Sequence, residues 1–241
     1  MTNKSSYVKV GDSAPNFCLP SVNGEDVQLS DYSGNKIAMF FWASWWACRT
    51  QLPVWQEVSE DSSIDIEVIT VAMDVQGFEK PKLYLEKAQS NLTTIIDKSN
   101  QLGKLYGFKA VPNVYLIGSN RTVDYIELGT FNIREPAKRS LLKNWSYGKE
   151  FQNSQVEEFE QDIHEKANAL FVSGKQLFDS GNTDGAIKIW RKAIEIDPKN
   201  YIIRKQIWAI ENPNRFYKDK VDYIWQNAQL EKGRWLIICW H

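Results

Sequence analysis

The chain has 241 residues, of which 43% are hydrophobic and 24% are charged, and its formal net charge at pH 7 is −1. This length suits two domains, and the composition is ordinary for a soluble globular protein. The charge gives no reason to expect nucleic acid or an anionic membrane as a partner. No stretch of sequence approaches the roughly 20 apolar residues of a membrane-spanning helix.

The few cysteines and histidines limit the chemistry. Cys18, Cys48 and Cys239 have no metal-type spacing, and His164 and His241 are far from Cys48 in sequence. We therefore predict no metal site, no cofactor and no structural disulfide framework. The first residues lack the apolar core of a signal peptide, so we expect a reducing, cytoplasmic location.

The first half of the chain alternates predicted strands and helices. Residues 11–30 predict an opening segment followed by a small hairpin arm. Apolar runs rich in Ile and Val predict the strands, and polar segments with helical spacing predict the helices. The predicted strands cover residues 36–43, 64–74, 114–117 and 123–128, and the predicted helices cover 47–60, 81–88 and 98–106. Pro53 is placed inside the first of these helices, where we expect a kink.

The most informative segment covers residues 41–53, with the sequence Phe-Trp-Ala-Ser-Trp-Trp-Ala-Cys-Arg-Thr-Gln-Leu-Pro. An aromatic strand leads into a polar helix that has Cys48 in its first turn. The segment resembles the active site of thioredoxin-like proteins, in particular the ResA/TlpA branch, with the pattern Phe-Trp-Ala-Thr/Ser-Trp-Cys-x-x-Cys-Arg-x-x-x-Pro. Trp46 and Ala47 stand where that pattern has Cys-x-x. One residue and the first cysteine are therefore missing.

Two further segments support the resemblance. Residues 11–17 are similar to the Gly-x-x-Ala-Pro-x-Phe opening of the AhpC/TSA and redoxin families. Residues 106–112 resemble the segment that leads to the cis-proline of thioredoxin-like proteins. The resemblance implies an α/β thioredoxin-like fold over residues 1–148, with a central mixed sheet of four or five strands flanked by helices. It also implies that Pro112 is cis and contacts Cys48.

The resemblance implies candidate roles for a small set of residues. In a Cys-x-x-Cys pair, the helix N-terminus favours the thiolate of the first cysteine, and the second cysteine resolves the mixed disulfide. Cys48 is the candidate catalytic residue, and Trp45, Trp46, Val111 and Pro112 are the candidate substrate-binding residues. The sequence leaves open whether Cys48 is exposed at the helix start or buried one turn deeper. It excludes a local dithiol cycle.

These features give two main functional hypotheses, and a third in which an active oxidoreductase uses Cys18 or Cys239 as its resolving thiol. The first is a thiol-disulfide oxidoreductase that uses Cys48 alone, with protein or low-molecular-weight thiols and disulfides as partners. An external thiol would resolve the mixed disulfide. The alternative is a catalytically inactive adaptor that binds extended segments beside Pro112 and recruits a protein through its second half.

The second half, residues 149–241, predicts an all-α domain. Residues 167–200 resemble one tetratricopeptide repeat of 34 residues, with small, aromatic or turn residues at the expected positions. We expect Gly174 to face Ala186 across an antiparallel helix pair, and residues 160–231 to be helical. An ordinary helical hairpin is the alternative. Because one repeat cannot bury its own apolar face, it should pack on the first domain, on the helix at 216–231 or on another protein.

Overall fold

The structure is a computed structural model that describes residues 7–149, 160–218 and 220–238. Cys239 and His241 lie outside the described residues, so the interpretation of their roles is not tested. The division into two domains at residue 148 stays a prediction.

Strands and helices alternate through the first half, and helices follow in the second. The described strands are β1 (Cys18–Pro20), β2 (Asp26–Gln28), β3 (Ile37–Trp42), β4 (Glu67–Ala72), β5 (Thr93–Ile96), β6 (Asn113–Ile117) and β7 (Val123–Leu128). The described α-helices are α1 (Leu52–Glu60), α2 (Glu79–Lys87), α3 (Gln101–Tyr106), α4 (Pro136–Ser146), α5 (Gln161–Asp179), α6 (Thr183–Ile196), α7 (Tyr201–Glu211), α8 (Asn214–Tyr217) and α9 (Tyr223–Ile238).

Five strands form a mixed central sheet in the order β5-β4-β3-β6-β7. Strand β3 is parallel to β4 and antiparallel to β6, and all six of its residues are buried. A strand covered on both faces needs such a continuous apolar run. The prediction of a mixed sheet flanked by helices is therefore confirmed. Strands β1 and β2 form the separate antiparallel arm.

The segment that contains Cys48 differs from the predicted single helix over residues 47–60. A 3₁₀ turn covers Ala47–Gln51, and α1 begins only at Leu52. Pro53 lies in the first turn of α1, where its missing N–H removes no hydrogen bond. The proline therefore starts the α-helix instead of kinking it, and Cys48 precedes the α-helix.

The C-terminal helices share apolar cores with the sheet. Ile202, Ala209, Phe216 and Val221 are buried in the same cluster as β3. Val75, just after β4, is buried together with residues of α5 and α6. The second half of the chain therefore packs on the first half, which is one of the three packing partners considered.

Helices α5 and α6 pack closely at Gly174. A Cβ atom at Gly174 would lie 2.3 Å from Nε1 of Trp190, which is one turn after Ala186 on α6. The expectation that Gly174 faces Ala186 stays a prediction. The Trp190 indole N–H donates to the Phe171 carbonyl at 2.9 Å, which fixes the ring beside the glycine. Short turns interrupt the helices of residues 160–231, so this region is not wholly helical.

Replacing Gly174 with alanine is expected to lower the free energy of unfolding by about 1–2 kcal/mol. The added methyl group overpacks the contact with Trp190 at a cost of about 2–3 kcal/mol, and the higher helix propensity of alanine offsets roughly 1 kcal/mol of it. Urea denaturation of Gly174→Ala measures the change. Ser173→Ala, at an exposed neighbouring position of the same helix, is the control and should change little. An equal or higher stability of Gly174→Ala would contradict the close contact.

Candidate functional site

Cys48 lies where the chain leaves the C-terminal end of β3. Its side chain is 4% exposed, and its thiol lies 4.0 Å from the Ala43 carbonyl oxygen, to which it donates. A 3₁₀ turn separates it from the start of α1. Cys48 is therefore buried and lies outside the first turn of the α-helix, where the helix dipole would favour a thiolate.

The other predicted site residues lie around the same sheet edge. The register pairs Phe41 of β3 with Asn113 of β6, so Pro112 enters β6 beside the end of β3. The Val111–Pro112 peptide bond is cis, and both residues are buried. The structure thus brings the segment around the cis-proline to the edge that carries the cysteine.

The two tryptophans before Cys48 differ in their surroundings. Trp45 is 1% exposed and belongs to the main apolar core. Trp46 is half-buried, and its ring meets the ring of Tyr223 edge-on at a centroid distance of 5.1 Å. The Lys205 ammonium lies 2.8 Å from the centroid of the Trp46 ring. The assignment of Trp45 and Trp46 to substrate binding remains a prediction; in this structure, Trp46 contacts the C-terminal helices.

Comparisons with known proteins show what the first half of the chain is similar to. Residues 10–126 match the AhpC/TSA family. The thiol-disulfide oxidoreductase ResA of Geobacillus thermodenitrificans is 28% identical over 142 residues, covering 57% of this chain and 79% of the relative. ResA of Geobacillus kaustophilus has the same identity and coverage. A Chlorobium tepidum structure described as a candidate thiol:disulfide interchange protein DsbE has a TM-score of 0.52 at 28% identity, covering 58% of this chain and 99% of its own. The first half of the chain has a thioredoxin-like fold.

Burial dominates the ionisation of Cys48 in this fold. It raises the pKa of Cys48 to about 12. The hydrogen bond to the Ala43 backbone acts in the opposite direction, the Asp74 charge raises the pKa further, and the Lys205 charge lowers it. At neutral pH the covered cysteine is therefore a thiol, whereas the nucleophile in thiol-disulfide exchange is a thiolate.

A buried carboxyl group holds the loop between β3 and Cys48. Asp74 accepts hydrogen bonds from the Ser44 backbone N–H, at 3.0 Å, and from the Ser44 hydroxyl. Burial raises the pKa of Asp74 to about 6 although these bonds and the Arg49 charge lower it. Arg49 donates to the carbonyl oxygens of Ser44 and Phe216, the latter at 3.0 Å. This polar cluster ties the cysteine loop to α8.

Helix α7 is hydrogen-bonded to the first half of the chain at two places. The Gln206 amide donates to the Met73 carbonyl at 2.5 Å and accepts from the Val75 N–H at 3.3 Å. The Ile202 N–H donates to the Lys109 carbonyl at 3.0 Å, three residues before the cis-proline. Together with the contacts of Trp46 and Arg49, these bonds place the C-terminal helices over the cysteine.

A buried ion pair joins the loop before the cis-proline to the end of α6. The Lys109 ammonium lies 3.0 Å from one oxygen of Asp197, and Nδ1 of His164 lies 3.4 Å from the other. Burial acts to raise the pKa of Asp197, but the hydrogen bonds from His164 and Lys109 outweigh it and hold the pKa below its usual range. The pair therefore couples the helical region to the edge that carries Pro112.

The structure adds residues that the sequence did not point to. Asp74, Lys205 and Tyr223 contact or influence the Cys48 segment, but they are 26, 157 and 175 positions away from Cys48 in the chain. No local spacing could have linked them. Cys18 is exposed on β1.

The described residues also bear on two other kinds of site. They contain no group of three or more His, Cys, Asp or Glu side chains placed to hold a metal ion. None of the helices within residues 7–149, 160–218 and 220–238 has both the length and the apolar character that crossing a bilayer requires.

Proposed function

We propose that this protein is a thiol-disulfide oxidoreductase with a single-cysteine site, in which Cys48 is the reacting thiol. The observation that supports this most strongly is the position of Cys48 at the sheet edge that also carries cis-Pro112, within a domain similar to ResA. No second cysteine of the described residues stands beside it, since Cys18 is exposed on the separate β1–β2 arm.

The proposed reaction uses a single sulfur of the protein, that of Cys48. The Cys48 thiolate attacks a disulfide of a protein or of a small molecule, a new S–S bond forms to Cys48, and the other sulfur leaves as a thiolate that takes a proton. A second, external thiol then attacks the mixed disulfide and releases Cys48. Val111 and Pro112 are the proposed binding edge for an extended substrate. A location in a reducing compartment, such as the cytoplasm, would supply the external thiol.

The covered state of Cys48 favours a second candidate function. A thiol with a pKa of about 12 that is 4% exposed is a poor nucleophile. A non-catalytic adaptor would keep the fold and recruit a protein through α5 and α6, the region that resembles a tetratricopeptide repeat. The glycine–tryptophan contact between these helices is compatible with such a repeat, because it permits close packing.

Capture of a mixed disulfide tests the first function against the second. The native protein is incubated with glutathione disulfide, and adducts are located by peptide mass spectrometry. We expect an adduct on Cys48 that glutathione reverses, that is lost in Cys48→Ser and that persists in Cys18→Ser. We also expect insulin reduction with dithiothreitol close to the uncatalysed rate, because no neighbouring thiol resolves the adduct. Absence of any Cys48 adduct in the native protein would favour the adaptor, and strong insulin reduction by Cys48→Ser would exclude both functions.

A further inference from the structure

Helices from the end of the chain hold the residues on both sides of Cys48. The Tyr223 ring of α9 meets the Trp46 ring edge-on, with 5.1 Å between the ring centroids. The buried Arg49 guanidinium donates to the Phe216 carbonyl oxygen of α8 at 3.0 Å. Trp46 stands two residues before Cys48 and Arg49 stands directly after it. Both ends of this short segment are therefore fixed by contacts with α8 and α9.

Helix α9 is attached through side chains that are partly exposed or incompletely hydrogen-bonded. Tyr223, which contacts Trp46, is 42% exposed, and Ile224 beside it is 86% exposed. The half-buried Trp225 ring packs 6.1 Å from the Phe216 ring. The side-chain nitrogen of Gln226 is buried and has no hydrogen-bond acceptor among the described residues. A buried donor left without an acceptor costs free energy, which weakens the packed position of α9.

Helix α7 is held more firmly than α9. Its buried Gln206 makes two hydrogen bonds to the backbone on either side of Asp74. Elements with few buried contacts open locally at a lower free-energy cost than the core of the same protein. The contacts thus indicate that α9 opens more readily than α7 or the central sheet.

Helix α9 also lies outside the part of the chain that is similar to known oxidoreductases. The family match ends at residue 126, and the ResA relative covers 57% of this chain. In thiol-disulfide exchange, the attacking sulfur must reach the sulfur of the substrate directly. Because Cys48 is buried, the proposed reaction needs a form of the protein in which this thiol is exposed.

We propose that α9 is an autoinhibitory cover that must release Trp46 before Cys48 reacts. The inference rests on the proposed function, because it concerns how the same sulfur becomes accessible. With α9 in place, Cys48 stays a buried thiol. When α9 leaves, the segment opens on its Trp46 side, and the exposed thiol regains the ordinary pKa of about 8.5. The equilibrium between the two positions of α9 then sets how much reactive Cys48 is available.

The urea dependence of Cys48 labelling tests the proposal on the wild-type full chain. Iodoacetamide labelling is followed by peptide mass spectrometry at urea concentrations below the unfolding midpoint, and each rate is divided by the rate in unfolded protein. This ratio gives the equilibrium constant for exposing Cys48. Its urea dependence scales with the surface that opening exposes, so we expect a slope below about half of the global unfolding slope. A slope and free energy equal to those of global unfolding would overturn the proposal.

A pair of neighbouring variants tests the contact itself. We expect Tyr223→Ala to raise the Cys48 labelling rate in the absence of urea about tenfold, because the edge-on ring contact that favours the closed position is lost. Ile224→Ala, at the exposed next position of the same helix, is the matched control and should leave this rate unchanged. Exposed Cys18 should react at the wild-type rate in both variants. An unchanged Cys48 rate in Tyr223→Ala, or an equal increase in both variants, would overturn the proposal.

The proposed function and this inference can fail separately. Faster Cys48 labelling in Tyr223→Ala without a reversible glutathione adduct on Cys48 would support the cover and reject the oxidoreductase. A reversible adduct that forms at the same rate in wild type and Tyr223→Ala would support the oxidoreductase and reject the cover.

Discussion

Asp197→Ala is expected to destabilise the protein by about 3–5 kcal/mol, because the substitution breaks a buried ion pair by removing one of its members. The Lys109 and Asp197 side chains are only 8% and 4% exposed, and His164 is fully buried on the other side of Asp197. Denaturant unfolding of the variant measures the loss. Since Lys109 precedes the cis-proline segment, we also expect Cys48 to be modified faster in Asp197→Ala than in wild type.

The matched control is Asp179→Ala. Asp179 pairs with Lys175 four residues earlier on α5, but its side chain is 56% exposed. Such a surface pair contributes about 0.3–0.5 kcal/mol. The pH dependence has a definite sign: because the pKa of Asp197 is lowered in the folded state, its stabilisation is present above the unfolded pKa of about 3.9 and is lost as pH falls through the folded value. Equal losses in the two alanine variants would contradict the buried ion pair.

Asp74→Asn is expected to change how stability depends on pH. The folded pKa of Asp74 is raised by burial from 3.8 to about 6, so the folded state binds the proton more tightly than the unfolded state. As pH rises from about 4 to about 6, the ionisation of Asp74 should therefore lower the wild-type free energy of unfolding by about 3 kcal/mol in total. The asparagine side chain of the variant cannot ionise and keeps one acceptor for Ser44, so the variant should lack this component.

The measurement is the difference in unfolding free energy between Asp74→Asn and wild type at several pH values. We expect this difference to move in favour of the variant between pH 4 and pH 7 and to be constant above that range. Asp65→Asn, which removes a carboxylate at an exposed position, serves as the control. A difference for Asp74→Asn that does not change between pH 4 and pH 7 would show that Asp74 is not protonated more readily in the folded protein.

The sequence predicted the parts of the fold that depend on local patterns. The buried run of β3, the antiparallel pair β6–β7 and the amphipathic helix α7 each have a periodicity or a continuous apolar stretch. Strand β5 was not predicted, because its four residues are too short to show alternation. Helix α4 was not predicted either, although it begins at Pro136, a residue type that favours the first turn.

The sequence predicted only those residues of the candidate site that belong to recognisable local segments. Cys48, Trp46 and Pro112 stand in recognisable segments. The contacts that Lys205 and Phe216 make with Trp46 and Arg49, beside Cys48, come from residues more than 150 positions away in the chain. The 3₁₀ turn before α1 was not predicted, because Pro53 is compatible both with the first turn of a helix and with a kink inside a longer helix. Contacts between distant segments have no signature in a single sequence.

The relative reactivity of the two described cysteines tests most directly whether Cys48 is covered in the native protein. Native protein is treated with iodoacetamide at pH 7.5, and labelling of Cys48 and Cys18 is followed by peptide mass spectrometry. With its pKa raised to about 12 and 4% exposure, Cys48 should react more than about 100-fold more slowly than exposed Cys18. The two rates should converge in denaturant. Equal rates in the native protein would contradict the covered site.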